Sequence, residues 1–208
     1  MLEKHLLVLG ASRGIGCTTA NYLRSSGHTV YTAQRTPQIQ ALTDEGTDKG
    51  FWAALDFQDP SQAVDLVQKF VADEIKLDGI LCCTSYAEPK PKYLYNLFDF
   101  QHHLTANVIG PLMLLIYLEH HGVLKFAAPV VFVLDDRRIG SEYLAYGASR
   151  KALRPMVEAA HKTFPLHSDL LFAPLPENQE LGADSFTEAM LKVFTEGHAG
   201  MGRVLDTK

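Results

Sequence analysis

A glycine-rich segment near the N-terminus, Gly10 to Gly16, constrains the fold of this chain more than any other feature. It follows an apolar run over residues 4–10 that predicts a buried strand, and it precedes a helical pattern over residues 15–26. Glycines here permit a tight turn, a close approach of the backbone to a phosphate, and close packing of helix on strand. The helix N-terminus adds unpaired N–H groups and the positive end of a dipole. The segment therefore predicts a dinucleotide site, the alternative being a glycine-rich turn without a ligand.

Short apolar runs alternate with helical patterns along the rest of the chain. This alternation predicts an α/β protein of Rossmann type, with a doubly wound parallel sheet between two layers of helices. No linker or repeat interrupts it, so residues 1–208 are expected to form one domain. Residues 37–50 are interpreted as a loop or short helix. The predicted strands are residues 4–10, 28–33, 51–55, 78–84, 128–134, 167–173 and, as a short final one, 203–206; the predicted helices are residues 15–26, 59–74, 98–122, 143–164 and 184–196.

Composition argues against several classes of protein. The chain has 208 residues, a formal net charge of −5 and no basic stripe, so nucleic acid is not expected as a partner. No run of about 18 apolar residues predicts a membrane span. No secretory leader precedes the first strand, so the chain is expected to be cytoplasmic. Three cysteines suit neither a disulfide framework nor a metal site, and Cys82 and Cys83 are expected to be buried thiols at a strand end.

The segment GASRGIG, with its Gly-x-x-x-Gly-x-Gly spacing, resembles the cofactor loop of the short-chain dehydrogenase/reductase family. The resemblance extends strand by strand along the chain and is strongest at the N-terminus. It implies a nicotinamide dinucleotide as cofactor. The loop residues expected to bind it are Gly10, Ser12, Arg13, Gly14, Ile15 and Gly16.

Two arginines indicate which nicotinamide cofactor is preferred. Arg13 lies inside the loop and Arg35 follows the second strand, where no Asp or Glu is present to hold a ribose 2′-hydroxyl. Guanidinium groups at both positions can bind a 2′-phosphate through paired hydrogen bonds. The pattern resembles the NADP-preferring members of the family and predicts NADP(H) rather than NAD(H). The alternative is that both arginines are solvated surface residues.

Three further positions are compared with the family. Asp56 matches an acidic residue that meets the adenine amino group, and an aspartate of a turn or helix start is an equal interpretation. Cys83 lies in a Cys-Cys-Thr-Ser segment, residues 82–85, where the family usually has Asn-Asn-Ala-Gly, so it is expected to line the cofactor without a side-chain amide. Pro174 matches a proline after the sixth strand, although Leu175 replaces the glycine expected next.

Tyr146, followed by Gly-Ala-Ser, matches the tyrosine that serves the family as general acid and base. In the family, a lysine four residues later lowers the pKa of that tyrosine and holds the nicotinamide ribose, and here Arg150 takes its place. The resemblance therefore implies that Tyr146 and Arg150 also bind the cofactor. Residues four apart share a helix face, so Arg150 keeps a cation beside the phenol, whereas Lys151 is rotated by about 100°. Asn107 matches the family asparagine that supports a proton relay. An inward polar residue that bonds backbone carbonyls is its other interpretation.

The serine that orients the substrate in the family is missing. Asp135 and Asp136 follow the fifth strand instead, and Asp136 is expected to take the serine's place in the catalytic site. Ser141, farther along the following loop, is the alternative hydroxyl. A carboxylate there would repel negative charge on a carbonyl oxygen unless it were protonated. The leading hypothesis is an NADP(H)-dependent oxidoreductase acting on a small carbonyl or related substrate. The alternative is a catalytically impaired dinucleotide-binding sensor or regulatory protein of the same fold.

The resemblance also implies an assembly. In the family, the helices near 98–122 and 143–164 pack against a neighbour's copies, so a homodimer or homotetramer is expected. Two histidine pairs lie on or at the end of the first helix. Consecutive helical residues face different ways, so all four are expected to be surface or interface residues rather than metal ligands: His102, His103, His120 and His121.

Overall fold

The computed structural model describes residues 2–35, 50–135, 140–164, 166–176 and 183–196. Most of the segment 37–50, Asp136 and the short strand at 203–206 lie outside the described residues, so the predictions for them stay predictions. Within the described residues, no helix is both long and apolar enough to cross a membrane, and no group of three or more His, Cys, Asp or Glu side chains is placed to hold a metal ion.

Parallel strands in the order β3-β2-β1-β4-β5-β6 form the six-stranded central sheet of the described residues. The chain starts in the middle of this sheet, adds strands on one side of β1, and then crosses to the other side. This confirms the doubly wound parallel fold. The strands are β1 (His5–Leu9), β2 (Thr29–Gln34), β3 (Trp52–Ala54), β4 (Gly79–Cys82), β5 (Pro129–Leu134) and β6 (Asp169–Pro174).

Helices cover both faces of the sheet because its strands are apolar on both sides. Alternate residues of a strand point to opposite faces. Leu7 and Leu9 therefore pack in one core cluster, and Leu6 and Val8 in the other. Helices α1 (Gly14–Ser25) and α6 (Ala183–Glu196) complete the Leu6 side, whereas α2 (Pro60–Ala72), α4 (Gly110–His120) and α5 (Leu144–Thr163) complete the Leu7 side.

The helix ends follow local chemistry. Asp59 caps α2, since its carboxylate accepts a hydrogen bond from the Ser61 N–H at 3.1 Å and Pro60 occupies the first turn. Helix α1 stops where predicted, just before Gly27, whose φ of +89° suits a residue without a side chain. The N-terminus of α1, in contrast, receives no hydrogen bond from a capping side chain.

The predicted long helix over 98–122 is interrupted in its middle. It consists of α3 (Leu97–Leu104), a π-helical turn (Thr105–Ile109) and α4. Pro111 has no N–H to continue the α-helical pattern, and the Gly110 N–H bonds the Thr105 carbonyl five residues back. A side chain at Gly110 would meet the Phe57 ring at 2.3 Å, so only glycine permits this close approach. The irregular turn places Asn107 in the interior.

Candidate active site

A cavity of about 690 Å³ opens at the carboxyl ends of the strands, where β1 has β2 on one side and β4 on the other. Ligands of open α/β sheets bind at this reversal of strand order. One end of the cavity is lined by the glycine-rich turn and by the residues after β2, and the other by those after β4 and β5. The cavity therefore joins the predicted cofactor loop to the predicted catalytic region.

The glycine-rich turn is held against the strands by contacts that exclude side chains. Gly10 has φ +78°, and a Cβ there would lie 2.8 Å from the Cys83 carbonyl oxygen. A Cβ on Gly16 would lie 2.5 Å from the Gly10 carbonyl oxygen. With neither a capping side chain nor an acidic residue in its first turn, the N-terminus of α1 suits an anionic group such as a pyrophosphate. All the predicted loop residues line the cavity: Gly10, Ser12, Arg13, Gly14, Ile15 and Gly16.

The end of β2 supplies a cation and an unpaired amide. Arg35 is exposed, lines the cavity, and places its guanidinium carbon 5.4 Å from the centre of the Tyr86 ring. Gln34 is only 3% exposed and belongs to the same cavity wall, and neither amide atom has a hydrogen-bond partner. A buried polar group without a partner costs about 1–3 kcal/mol. Gln34, which sequence reasoning passed over, thus fits a polar ligand that would supply the missing partners.

The cofactor predictions for Asp56, Cys83 and Pro174 have different outcomes in the structure. Asp56 lines the cavity and also accepts a hydrogen bond from the Gln58 N–H at 3.0 Å. Its structure is therefore compatible with both interpretations, a residue that contacts the cofactor and an aspartate of a turn. Cys83 lines the cavity, and burial raises the pKa of its thiol to about 12, which keeps it neutral. Pro174 ends β6 but is not part of the cavity wall, and Leu175 lines it instead.

Tyr146 lies behind the cavity wall rather than in it. The side chain has 0% exposure, and its hydroxyl donates to Asp135 Oδ2 at 2.9 Å and accepts from Ser85 Oγ at 3.3 Å. Burial raises the pKa of Tyr146, while the nearby Arg150 charge opposes that shift. The phenol is therefore neutral at physiological pH. Ser85 and Asp135, and not Tyr146, line the cavity.

Arg150 is buried between the ends of β4 and β5. Its Nη1 donates to the Thr84 carbonyl oxygen at 3.2 Å and its Nη2 to the Val133 carbonyl oxygen, whereas Nε has no partner. Burial lowers the pKa of Arg150, and the neighbouring Tyr146 and Asp135 oppose the shift. The guanidinium thus lies beside the phenol as predicted, and Arg150 lines the cavity. Its hydrogen bonds, however, go to backbone carbonyls.

Asn107 binds the segment that follows β4 through hydrogen bonds of its side-chain amide. Its Oδ1 accepts from the Tyr86 N–H at 2.7 Å, and its Nδ2 donates to the Tyr86 carbonyl and to Ser149 Oγ, both at 2.9 Å. These contacts match the interpretation of Asn107 as an inward polar residue that bonds the backbone. Asn107 does not line the cavity, and its part in a proton relay stays a prediction.

Residues 4–167 match the family model described as short chain dehydrogenase. The chain is a member of this family. Solved structures with the same fold include a short-chain dehydrogenase from Shigella flexneri, which is 20% identical over 100% of this chain and 91% of that one, with a TM-score of 0.80. Another is a carbonyl reductase from Pseudomonas aeruginosa PAO1 in complex with NADP, 22% identical over 97% and 94% of the two chains, with a TM-score of 0.80.

A short-chain dehydrogenase family protein from Francisella tularensis subsp. tularensis SCHU S4 is 14% identical over 98% of this chain and 96% of that one, with a TM-score of 0.77. No curated protein sequence matches the chain. At these identities the structural likeness shows the fold, while the family model shows the membership.

Two polar residues of the cavity wall were not expected from the sequence. Asp136, the predicted replacement for the family serine, lies outside the described residues, and Asp135 makes the contact with Tyr146. The signal for Asp135 was its position directly after β5. Ser85 stands where the family usually has glycine, and a hydroxyl at the carboxyl end of β4 was the signal for it.

The surface prediction is wrong for one histidine. His103 is 1% exposed, its Nδ1–H donates to the Asp99 carbonyl at 2.7 Å, and its Nε2 accepts from the Glu88 N–H at 3.3 Å. It is buried because the segment after β4 folds back over α3 and places Tyr86 against its ring. The other three histidines are exposed, as expected.

Proposed function

We propose that this short-chain dehydrogenase family member is an NADP(H)-dependent oxidoreductase that interconverts a small carbonyl compound and its alcohol. The observation that carries the proposal is the continuity of the cavity from the uncapped N-terminus of α1 to Ser85 and Asp135. A nicotinamide cofactor bound along it would supply the electron pair for the redox step. The volume of about 690 Å³ falls within the range of ordinary ligand sites.

Each part of the cavity has a chemistry that suits one part of this cofactor. The glycine-rich turn would hold the pyrophosphate through backbone N–H groups. Arg13 and Arg35 would bind the 2′-phosphate, and the unpaired amide of Gln34 would meet polar atoms of the adenosine half. The small substrate would lie between Ser85 and Leu175 at the opposite end.

The preference for NADPH is tested by calorimetric titration of NADPH and NADH into the wild type and Arg35→Ala. Loss of a charge-assisted contact worth about 1.5–3 kcal/mol should weaken NADPH binding roughly 10- to 100-fold and change NADH binding little. Arg154→Ala, which removes a half-buried arginine of α5 that is not part of the cavity wall, is the matched control and should change neither affinity. Equal weakening of both cofactors in Arg35→Ala would contradict the 2′-phosphate assignment.

A second candidate is a protein that binds the dinucleotide without turnover, as a sensor or regulatory protein. The observation that favours it is the complete burial of Tyr146 away from the cavity wall. Turnover of NADP(H) with a panel of ketones, aldehydes, quinones and secondary alcohols decides between the two. Tight NADPH binding with no turnover across the panel would favour the sensor.

We also propose that the chain assembles as a homodimer or homotetramer through the helices near 98–122 and 143–164. Apolar side chains exposed on these helices support the proposal, and light scattering in solution tests it. They are Leu97, Phe98, Ile109, Met113, Leu144 and Met156.

A further inference from the structure

Among the described residues, Tyr146 is not part of the cavity wall. Its side chain is fully buried, and its hydroxyl is engaged on both sides, by Asp135 Oδ2 and by Ser85 Oγ. Of these three residues, Ser85 is the exposed one, and it lines the cavity together with Asp135. A small alcohol or carbonyl in the cavity would therefore meet the serine hydroxyl before the tyrosine.

The donors in this chain of hydrogen bonds have a fixed order. An ionised carboxylate can only accept hydrogen bonds, so Tyr146 must donate to Asp135. A hydroxyl has a single proton, so the Tyr146 oxygen is left to accept from Ser85. The hydrogen bonds thus run from the exposed Ser85 through Tyr146 to the buried Asp135, which also lines the cavity.

We propose that Ser85 is the catalytic hydroxyl that touches the substrate, and that it relays the substrate's proton through Tyr146 to Asp135 when an alcohol is oxidised. This inference rests on the proposed function and names the groups that perform it. It gives Asp135 the task of a general base and makes Tyr146 the middle of a relay.

The step balances with NADP⁺ as the oxidant. The O–H bond of the alcohol breaks and its proton passes to Ser85 Oγ, while the proton of Ser85 moves to the Tyr146 oxygen. The proton of Tyr146 moves to Asp135 Oδ2, which becomes a carboxylic acid. The electron pair of the carbinol C–H bond leaves with its hydrogen for the oxidised nicotinamide, and a C=O double bond forms. Carbonyl reduction is the reverse and begins with protonated Asp135.

The electrostatics of the buried groups suit a relay. Burial raises the pKa of Tyr146, so the phenol stays protonated and passes a proton on without storing charge. The buried guanidinium of Arg150 faces both Tyr146 and Asp135 and compensates the carboxylate charge. The separations of 3.3 Å and 2.9 Å join the three oxygens by direct hydrogen bonds.

The kinetic test compares Ser85→Ala, Ser85→Thr and Tyr146→Phe in the oxidation of cyclohexanol and 1-phenylethanol by NADP⁺. Ser85→Ala should lower kcat by roughly 100-fold or more, as expected for loss of a general acid or base, while Ser85→Thr keeps the hydroxyl and most of the rate. The double variant Ser85→Ala/Tyr146→Phe should be little slower than either single variant, because the residues act as one unit. Ser25→Ala, on the surface of α1, is the matched control.

A second measurement does not depend on turnover. In protein labelled with ¹³C at tyrosine Cζ, the Tyr146 resonance, assigned with Tyr146→Phe, reports the pKa of its phenol. Ser85→Ala should raise this pKa, since it removes a donor to the phenolate, and Asp135→Asn should lower it, since it removes a nearby negative charge. Ser25→Ala should leave it unchanged.

The outcomes separate this inference from the proposed function. Wild-type turnover that survives in Ser85→Ala but not in Tyr146→Phe would overturn the relay and leave the oxidoreductase intact. A Tyr146 pKa that moves in neither Ser85→Ala nor Asp135→Asn would also overturn the relay. Absence of turnover in the wild type would overturn both, and retained NADPH binding would then leave the dinucleotide site standing.

Discussion

The two ends of the cavity differ in what builds them. At the cofactor end, the glycine-rich turn and the α1 N-terminus are made of backbone, and every loop residue predicted to bind the dinucleotide lines the cavity. At the catalytic end the site is made of side chains. Tyr146 and Asn107 lie outside the cavity wall, whereas Arg150, Ser85 and Asp135 form part of it. A backbone site is fixed by spacing along the chain, whereas a side-chain site depends on neighbours that are distant in sequence.

The largest expected effect is at the cofactor end of the cavity, in the variant Gly16→Ala. In Gly16→Ala the new Cβ would lie 2.5 Å from the Gly10 carbonyl oxygen, which belongs to backbone and cannot move cheaply. The free energy of unfolding, from urea titration, should fall by about 3 kcal/mol, and NADPH binding in calorimetry should be lost.

Gly27→Ala is the matched control for this variant. Gly27 also has a positive φ, +89°, but a Cβ there meets nothing within 4 Å. Strain alone should reduce stability by about 1–2 kcal/mol and leave NADPH binding unchanged. Equal loss of binding in both variants would show that the close approach at Gly16 is not what shapes the turn.

A smaller effect is expected at the catalytic end, at Arg150. Arg150→Met would leave the carbonyl oxygens of Thr84 and Val133 without their donor, so the free energy of unfolding should fall by about 2 kcal/mol. Arg150→Lys should lose about half of that, because an ammonium group lacks the planar fork that reaches both oxygens.

Turnover of the Arg150→Lys variant sharpens the comparison further. The family's lysine acts beside its tyrosine. A lysine at position 150 would therefore raise turnover if the site otherwise worked as in the family. With Tyr146 behind the cavity wall, Arg150→Lys should instead lower turnover along with stability. An increase in kcat with unchanged stability would contradict the structural role given to Arg150.

The sequence predicted the features that depend on periodicity and spacing. Local chemistry accounts for the first six predicted strands, the stop of α1 at Gly27 and the turn at Gly10, and the structure places them close to the expected residues. The π-helical turn around Asn107 was missed because it depends on Pro111 acting together with the contact between Gly110 and Phe57, which is remote in sequence.

The catalytic end could be predicted only in part. Helical spacing correctly predicted that Arg150 lies beside Tyr146. It did not predict the hydrogen bonds of Arg150 to the strand ends. The register of β5 decides that Asp135 meets Tyr146, and the pairing of β4 with β5 brings Ser85 to the same hydroxyl. Both depend on the packed sheet, which no local pattern specifies to a single residue.

The smallest expected effect concerns alkaline pH and the burial of Tyr146. Burial raises the folded-state pKa of Tyr146 above that of the unfolded chain, about 10. Its contribution to stability is therefore fully present below about pH 10 and is lost as the pH rises through the folded-state pKa. In that window the unfolding free energy of the wild type should fall more steeply than that of Tyr146→Phe, by at most about 1.4 kcal/mol per pH unit.

Tyr93→Phe, which removes the hydroxyl of a side chain that is 81% exposed, is the matched control in urea titrations over this range. Parallel curves for the wild type and Tyr146→Phe would place the Tyr146 phenol in contact with solvent, and the contrast between the two ends of the cavity would then disappear.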